Sequence, residues 1–220
     1  MKINSRSIAI VGGCCLGLLT LPGVGHSQGF YLNANAGVSF ADDVDLHQFL
    51  VSTRGTELEF DPGGRLSVAG GYNINPYIGV QLETGFIFNN VKGVSSGGDI
   101  DAVLSHVPML ADVVFRYDKA DCNWVPYIGA GIGGDVSIIG LDNVRAPNGA
   151  LVDGSDSDIV FAWQAFAGLR YKFMPKMSIG AGYKYYYAGN ATWDVENSSG
   201  DIKTGKAQVH SFGVDFTMTF

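Results

Sequence analysis

Three histidines lie beyond residue 27 and are the first candidates for chemistry: His47, His106 and His210. A hydrolase needs such a base within hydrogen-bond reach of a nucleophile. Strand periodicity puts His106 on a polar face and His210 on an apolar face, with Ser211 pointing the other way. No base and nucleophile are paired by this pattern, so we expect no enzyme, no cofactor and no metal site.

A second group of candidates consists of charged and amide side chains that share one face of short alternating segments. They are Arg65, Glu83, Asp112, Arg116, Gln164, Arg170, Lys172, Lys184 and Asp215. Enclosed charges must be paired, because each unpaired one costs several kcal/mol. Two hypotheses follow for an enclosed space lined by this lumen network: ion pairs plug it, or they line a narrow ion path.

Eight segments with period-two alternation position these side chains. They span residues 30–40, 65–73, 77–89, 106–117, 125–136, 159–173, 177–187 and 207–220. Long polar stretches at 41–64, 90–105, 137–158 and 188–206 follow the odd segments, and short turns follow the even ones. This spacing predicts an all-β fold, an eight-stranded antiparallel up-and-down barrel.

The two faces of these segments differ in polarity. One face carries the lumen network and many glycines, while the other is nearly free of charge. A soluble lipocalin-like barrel would place its apolar face inside. If the uncharged face met water it would form an apolar patch far larger than soluble monomers expose, so the sequence favours a transmembrane barrel with the lumen network inside.

Composition and the N-terminus indicate export. Lys2, Arg6, the apolar run 8–21 and the small-x-small site Gly25-His26-Ser27 predict a cleaved signal peptide at 1–27, leaving one domain at 28–220. Cleavage removes two of 14 basic residues and none of 21 acidic ones, which gives a net charge of −9 and argues against nucleic-acid binding. Cys122 is then the only thiol, so no intramolecular disulfide can form.

Aromatic residues gather at the ends of the predicted strands. An aromatic girdle at the membrane interfaces is predicted from Tyr72, Tyr77, Tyr117, Trp124, Tyr171, Phe173, Tyr185 and Tyr187. The final strand alternates apolar and polar residues and ends on Phe220.

Several local patterns resemble the eight-stranded outer-membrane barrel family that includes the OmpA transmembrane domain and opacity-type surface antigens. They are Gly29-Phe30-Tyr31, Gly70-Gly71-Tyr72-Asn73, residues 124–133, Gly168-Leu169-Arg170-Tyr171 and Gly182-Tyr183-Lys184-Tyr185. The resemblance implies an outer-membrane location, and it implies that Phe216, Met218 and Phe220 belong to the signal read by the barrel-assembly machinery. The chain lacks the peptidoglycan-binding domain of OmpA, so cell-wall anchoring is not expected.

Function is less constrained than fold, because this family spans structural, adhesive and porin-like members. We expect a structural or surface-exposed barrel with a plugged lumen; the alternatives are a narrow porin, a barrel-embedded lipid hydrolase and a soluble binding barrel. Acidic residues in the long stretches suit divalent cations that bridge to lipopolysaccharide, or contacts with host or phage ligands, although a solvated repulsive surface is the favoured interpretation.

Overall fold

The structure, a computed structural model, describes residues 29–48, 56–94, 102–119, 121–145, 151–193 and 202–220. Its twelve strands are β1 (Gly29–Ala41), β2 (Val44–Gln48), β3 (Thr56–Phe60), β4 (Gly63–Asn73), β5 (Ile78–Val94), β6 (Ala102–Arg116), β7 (Trp124–Arg145), β8 (Leu151–Met174), β9 (Met177–Ala188), β10 (Thr192–Trp193), β11 (Ile202–Thr204) and β12 (Ala207–Thr219). The predicted signal peptide lies outside the described residues. Within the described ranges, no helix is long and apolar enough to cross a membrane.

The eight long strands close into a barrel. Each pairs antiparallel with the next along the chain, in the order β1, β4, β5, β6, β7, β8, β9, β12. β12 then pairs with β1 from Tyr31↔Thr219 to Ala41↔Val209, so that no edge remains in the barrel wall. The predicted eight-stranded antiparallel barrel is confirmed.

Side chains alternate between the interior and the outer wall along every barrel strand. In β1, Tyr31 and Asn33 are buried while Leu32 between them is 56% exposed. Leu82 on β5 is 71% exposed and lies between buried Gln81 and Glu83. An outer wall of this kind needs an apolar solvent, because water would meet an apolar surface over the whole circumference.

Inward glycines make room for large interior side chains. A Cβ atom added at Gly168 or Gly182 would lie 2.4 or 2.6 Å from the hydroxyl oxygen of Tyr127. A Cβ at Gly131 would lie against the carboxylate of Asp112. These glycines on β7, β8 and β9 therefore leave the space that interior polar groups occupy.

The prediction that 90–105 and 137–158 are loops was wrong in part. β5 continues to Val94, and β7 and β8 stay paired as far as Arg145↔Leu151. Pairing persists through polar residues such as Asp156, opposite Ile139, because the ladder bonds join backbone groups whatever the side chains are. The short strands β2, β3, β10 and β11 also fall in predicted loops, and they extend the sheet from the loop end of β5 in the order β3, β2, β11, β10.

Candidate functional site in the barrel interior

The half of the barrel interior nearest the short turns is called the turn half. It contains a network of hydrogen bonds and ion pairs. Its centre is Glu83 on β5, which accepts from Arg65 Nη2 at 3.1 Å. Lys184 Nζ donates to both carboxylate oxygens of Glu83, at 2.5 and 2.6 Å. Arg65 and Glu83 are almost fully buried, so each charge depends on its partners for solvation.

Amide side chains connect this centre to Asp112 on β6. Gln81 Nε2 donates to Asp112 Oδ2 at 2.7 Å, and Gln164 Nε2 donates to Asp112 Oδ1 at 2.9 Å. Gln164 also accepts from Arg65 Nη2 at 2.6 Å. Gln164 therefore relays hydrogen bonds between the cation of Arg65 and the carboxylate of Asp112, whereas Gln81 joins Asp112 to Glu83 through a second bond of 3.3 Å to Glu83 Oε2.

A second carboxylate, Asp215 on β12, organises the other side of the turn half. Arg170 Nε lies 2.5 Å from Asp215 Oδ1, and the Tyr127 hydroxyl donates to Oδ2 at 3.1 Å. Asn33 Nδ2 donates to Asp215 Oδ1 at 3.0 Å. The Arg170 guanidinium also lies 4.1 Å from the centre of the Tyr127 ring, a cation–π contact.

Two predicted network members lie at the turn-end mouth instead. Arg116 donates to the side chain of Asn73 at the end of β4 and to the carbonyl oxygens of Asn75 and Pro76 in the β4–β5 turn. Lys172 Nζ pairs with Asp118 Oδ1 at 2.7 Å, and both side chains are about one quarter exposed. No bond among the described residues joins Lys172 to Glu83, Asp112 or Asp215.

Tyr117 and Lys119 meet in the β6–β7 connection, outside the barrel strands. Lys119 Nζ lies 4.9 Å from the centre of the Tyr117 ring. A hydrogen bond to Tyr117 raises the pKa of Lys119 above its usual value, because the phenolic oxygen favours the charged ammonium.

The half of the interior nearest the long connections, the loop half, is mainly apolar. Its buried cluster contains Ile87, Val91, Leu104, Leu110, Val160, Ala162, Tyr186, Ala188, Ala191, Ala207 and Val209. Inside it, His106 Nδ1 lies 2.6 Å from Asp135 Oδ2. Inward polar side chains such as Ser39, Asn89, Ser105 and Ser137 continue into this half, but aliphatic residues lie among them, so the loop half is less polar than the turn half.

Contacts across the lumen fill the turn half. Going round the barrel, β9 lies four strands from β5, and β8 lies four strands from β4. Lys184 to Glu83 and Arg65 to Gln164 therefore join strands on opposite walls. An eight-stranded barrel is just wide enough for side chains to fill, and here the side chains meet in the middle.

The predicted aromatic girdle lies on the outer wall. Ring pairs near the turns are Phe30–Tyr72, Tyr77–Tyr117, Trp124–Tyr171 and Phe173–Phe216. Near the loops, Tyr185 and Tyr187 both pack on Trp163. In the final strand Phe216 faces outward and is 42% exposed, and the amide of Phe220 donates to the carbonyl of Phe30 at 2.9 Å.

Some interior residues were missed by the sequence prediction. Tyr31 donates to Gln81 at 2.8 Å, and Tyr127 and Asn33 hold Asp215. Their inward register was readable from alternation, but tyrosine and asparagine were given no role there. Asp135 was missed because it lies in a glycine-rich run at the end of a predicted strand, and no local pattern indicates its partner His106.

Comparison with known proteins decides the family. Residues 12–220 match the family model described as the outer membrane protein beta-barrel domain. The chain belongs to this family. No curated protein sequence matches the chain.

Two solved outer-membrane barrels have a similar fold. Neisserial surface protein A is 18% identical over 87% of this chain and 97% of its own, with a TM-score of 0.54. OprG from Pseudomonas aeruginosa is 17% identical over 89% of this chain and 98% of its own, with a TM-score of 0.58. At these identities the likeness shows the fold alone.

Membership in the outer membrane protein beta-barrel family explains the outer wall. The exposed apolar side chains face lipid, and the polar groups lie inside, which removes the soluble lipocalin-like alternative. A groove of ≈ 670 Å³ is lined by Ala34, Ala36, Phe86 and neighbouring side chains, and its mainly apolar lining suits contact with acyl chains. Among the described residues, no group of three or more His, Cys, Asp or Glu side chains is placed to hold a metal ion.

Proposed function

We propose that the protein is a structural, surface-exposed barrel of the outer membrane whose lumen is closed by the network of its turn half. In this proposal the long connections face the exterior and the short turns face the periplasm. The signal peptide at 1–27 is cleaved on export.

The observation that carries the proposal is the pair of contacts across the lumen. The Lys184–Glu83 and Arg65–Gln164 bonds tie opposite walls together. Arg65 is 1% exposed and Gln164 is 0% exposed, so the centre of the lumen is occupied by side chains. An ion crossing this layer would have to break buried ion pairs, which is costly in a low-dielectric interior.

Planar-bilayer recording of the refolded protein tests the plug. A difference in gel migration before and after boiling shows that the barrel has folded. From wild-type protein that passes this control we expect no discrete conductance steps. Glu83→Ala removes the group that both cations bind, and we expect steps to appear in that variant. Steps in wild-type protein would contradict the plug.

A narrow porin is the second candidate function, favoured by the charged lining of the turn half. Arg116 is half-buried at the turn-end mouth, where an ion path would open. If the barrel conducts, Arg116→Ala should change the size or ion selectivity of the steps. If the conductance steps of Arg116→Ala equal those of wild type, the ion path does not pass Arg116.

We propose no enzymatic role for the interior. His106 Nδ1 is engaged by Asp135, and Nε2 is buried with no hydrogen-bond partner among the residues that the structure describes, so none of their hydroxyl groups is held by this base. A lipid hydrolase would instead process outer-membrane lipid in detergent and lose that activity in His106→Ala.

The proposed partners are membrane components and exterior ligands. The assembly machinery would read the final strand, where Phe216 and Phe220 face outward and β12 closes against β1. Lipopolysaccharide, and host or phage ligands, would meet the acidic long connections. Trimming those connections should abolish the binding of host or phage ligands and leave heat-modifiable migration intact.

A further inference from the structure

The outer wall carries a cluster of hydrogen-bonded polar side chains near the loop ends of β9 and β12. Tyr183 Oη lies 2.6 Å from His210 Nδ1, and His210 Nε2 lies 3.6 Å from Asp42 Oδ2. The Tyr185 hydroxyl donates to Gln208 Oε1 at 2.6 Å. The side chains of His210 and Asp42 are 37% and 51% exposed, so these polar atoms are accessible from outside the barrel.

Aromatic rings surround these polar groups. Trp163 stacks with Tyr187 at a centroid distance of 5.9 Å and an interplanar angle of 26°, and it packs on Tyr185 at 5.3 Å. The Tyr185 ring in turn lies 5.2 Å from the His210 ring. We call the set Asp42, Trp163, Tyr183, Tyr185, Tyr187, Gln208 and His210 the β9–β12 patch. Its side chains hold one another in place, so it is a preorganised surface.

The wall on the other side of the barrel, formed by β4 to β7, is different. Near its loop ends it presents apolar groups such as Phe88 and Val103, which are 37% and 40% exposed. Among the described outward side chains of those four strands there is no imidazole and no carboxylate. Anchoring at the interface needs only aromatic rings, so it accounts for both walls but not for the hydrogen-bonded imidazole of the patch.

We propose that the β9–β12 patch binds the sugar headgroup of an outer-leaflet glycolipid, lipopolysaccharide. The site rests on the proposed function, because only loops that face the exterior put the patch in the outer leaflet. At the loop end the outward side chains lie at headgroup depth, where a polar group facing lipid finds polar partners.

The chemistry of the patch fits a sugar. The faces of pyranose rings carry C–H groups with partial positive charge, which suit the electron-rich faces of Trp163 and Tyr187. The Gln208 amide and the Asp42 carboxylate can donate to and accept from sugar hydroxyl and amide groups.

Native mass spectrometry of the refolded full-length mature protein, titrated with short-chain lipopolysaccharide, tests the site. We expect one tightly retained glycolipid, with retention about tenfold weaker in Trp163→Ala and in His210→Ala, since each removes about one good contact. Phe88→Ala is the matched control, because it removes a loop-end aromatic from the opposite wall. Its binding should equal that of wild type.

Two results would overturn the site. One is retention of lipopolysaccharide no stronger than that of phosphatidylglycerol, and the other is an equal loss in Phe88→Ala and Trp163→Ala. Heat-modifiable migration of each variant verifies that it has folded. An epitope inserted at residues 146–150 reports the orientation of the barrel separately. Exterior labelling without selective glycolipid binding would contradict the proposed glycolipid site alone. A lack of exterior labelling would contradict the proposed function.

Discussion

The turn half and the loop half of the interior hold their charges differently. In the turn half, Glu83 lies between Arg65 and Lys184, inside a lattice of amides and tyrosines. In the loop half, His106 and Asp135 pair within an aliphatic cluster. An arginine cannot give up its proton, whereas an imidazole can, so the first arrangement requires a permanent counter-charge and the second does not.

The largest effect should come from Glu83→Gln. The change keeps the size of the side chain but leaves Arg65 and Lys184 buried without a counter-charge, and we expect a loss of about 3–5 kcal/mol in the free energy of unfolding. Denaturant titration of the protein in phospholipid vesicles measures it. If Glu83→Gln lowered the free energy of unfolding by less than Ile87→Ala, Asp135→Asn and Lys172→Ala do, the turn half would be hydrated and tolerant of unpaired charge.

Next in size is Ile87→Ala in the loop half. Ile87 is fully buried in the aliphatic cluster, and its truncation leaves a cavity worth about 2–4 kcal/mol. Ile87→Val, which removes one methylene, is the matched control and should cost about 1 kcal/mol in the same titration. If both variants behave like wild type, the loop half is not a packed core.

Asp135→Asn sharpens the comparison most directly, because it repeats the carboxylate-to-amide change in the other half. The amide oxygen of the new side chain can still accept a hydrogen bond from His106 Nδ1, so we expect a loss of about 1–2 kcal/mol in the free energy of unfolding. The measured quantity is the difference between this loss and that of Glu83→Gln. Equal losses would contradict the distinction between the two halves.

Lys172→Ala should have the smallest effect. Its pair with Asp118 at the turn end is partly exposed, and pairs of this kind are worth about 0–1 kcal/mol. Raising the salt concentration should abolish any difference from wild type in the unfolding titration. A larger, salt-independent loss would place Lys172 in the buried network after all.

The barrel was predictable because its wall obeys one local rule. Alternation in 30–40 or 207–220 depends on neighbours along the chain, and it correctly placed β1 and β12 to within a residue or two. The ends of β7 and β8 were not predictable in the same way. They are held by backbone pairing such as Gly140↔Ser155, which has no side-chain period.

The sequence predicts which side chains point into the interior, but it does not predict which of them bond to each other. Register alone put Glu83 and Lys184 inside, yet 101 positions of sequence separate them and no local pattern shows that they meet across the lumen. The sequence also gave no sign that Lys172 would pair at the turn end. Partner choice depends on barrel diameter and strand stagger, which are properties of the closed sheet.

The contacts between opposite walls have a consequence for folding kinetics. Lys184 and Glu83 can meet only after all eight strands have closed, so their bond should be absent from the transition state for folding. Interactions formed after that barrier slow unfolding without speeding folding. The bonds between opposite walls should therefore form last. They should lengthen the lifetime of the inserted barrel more than they increase its rate of assembly.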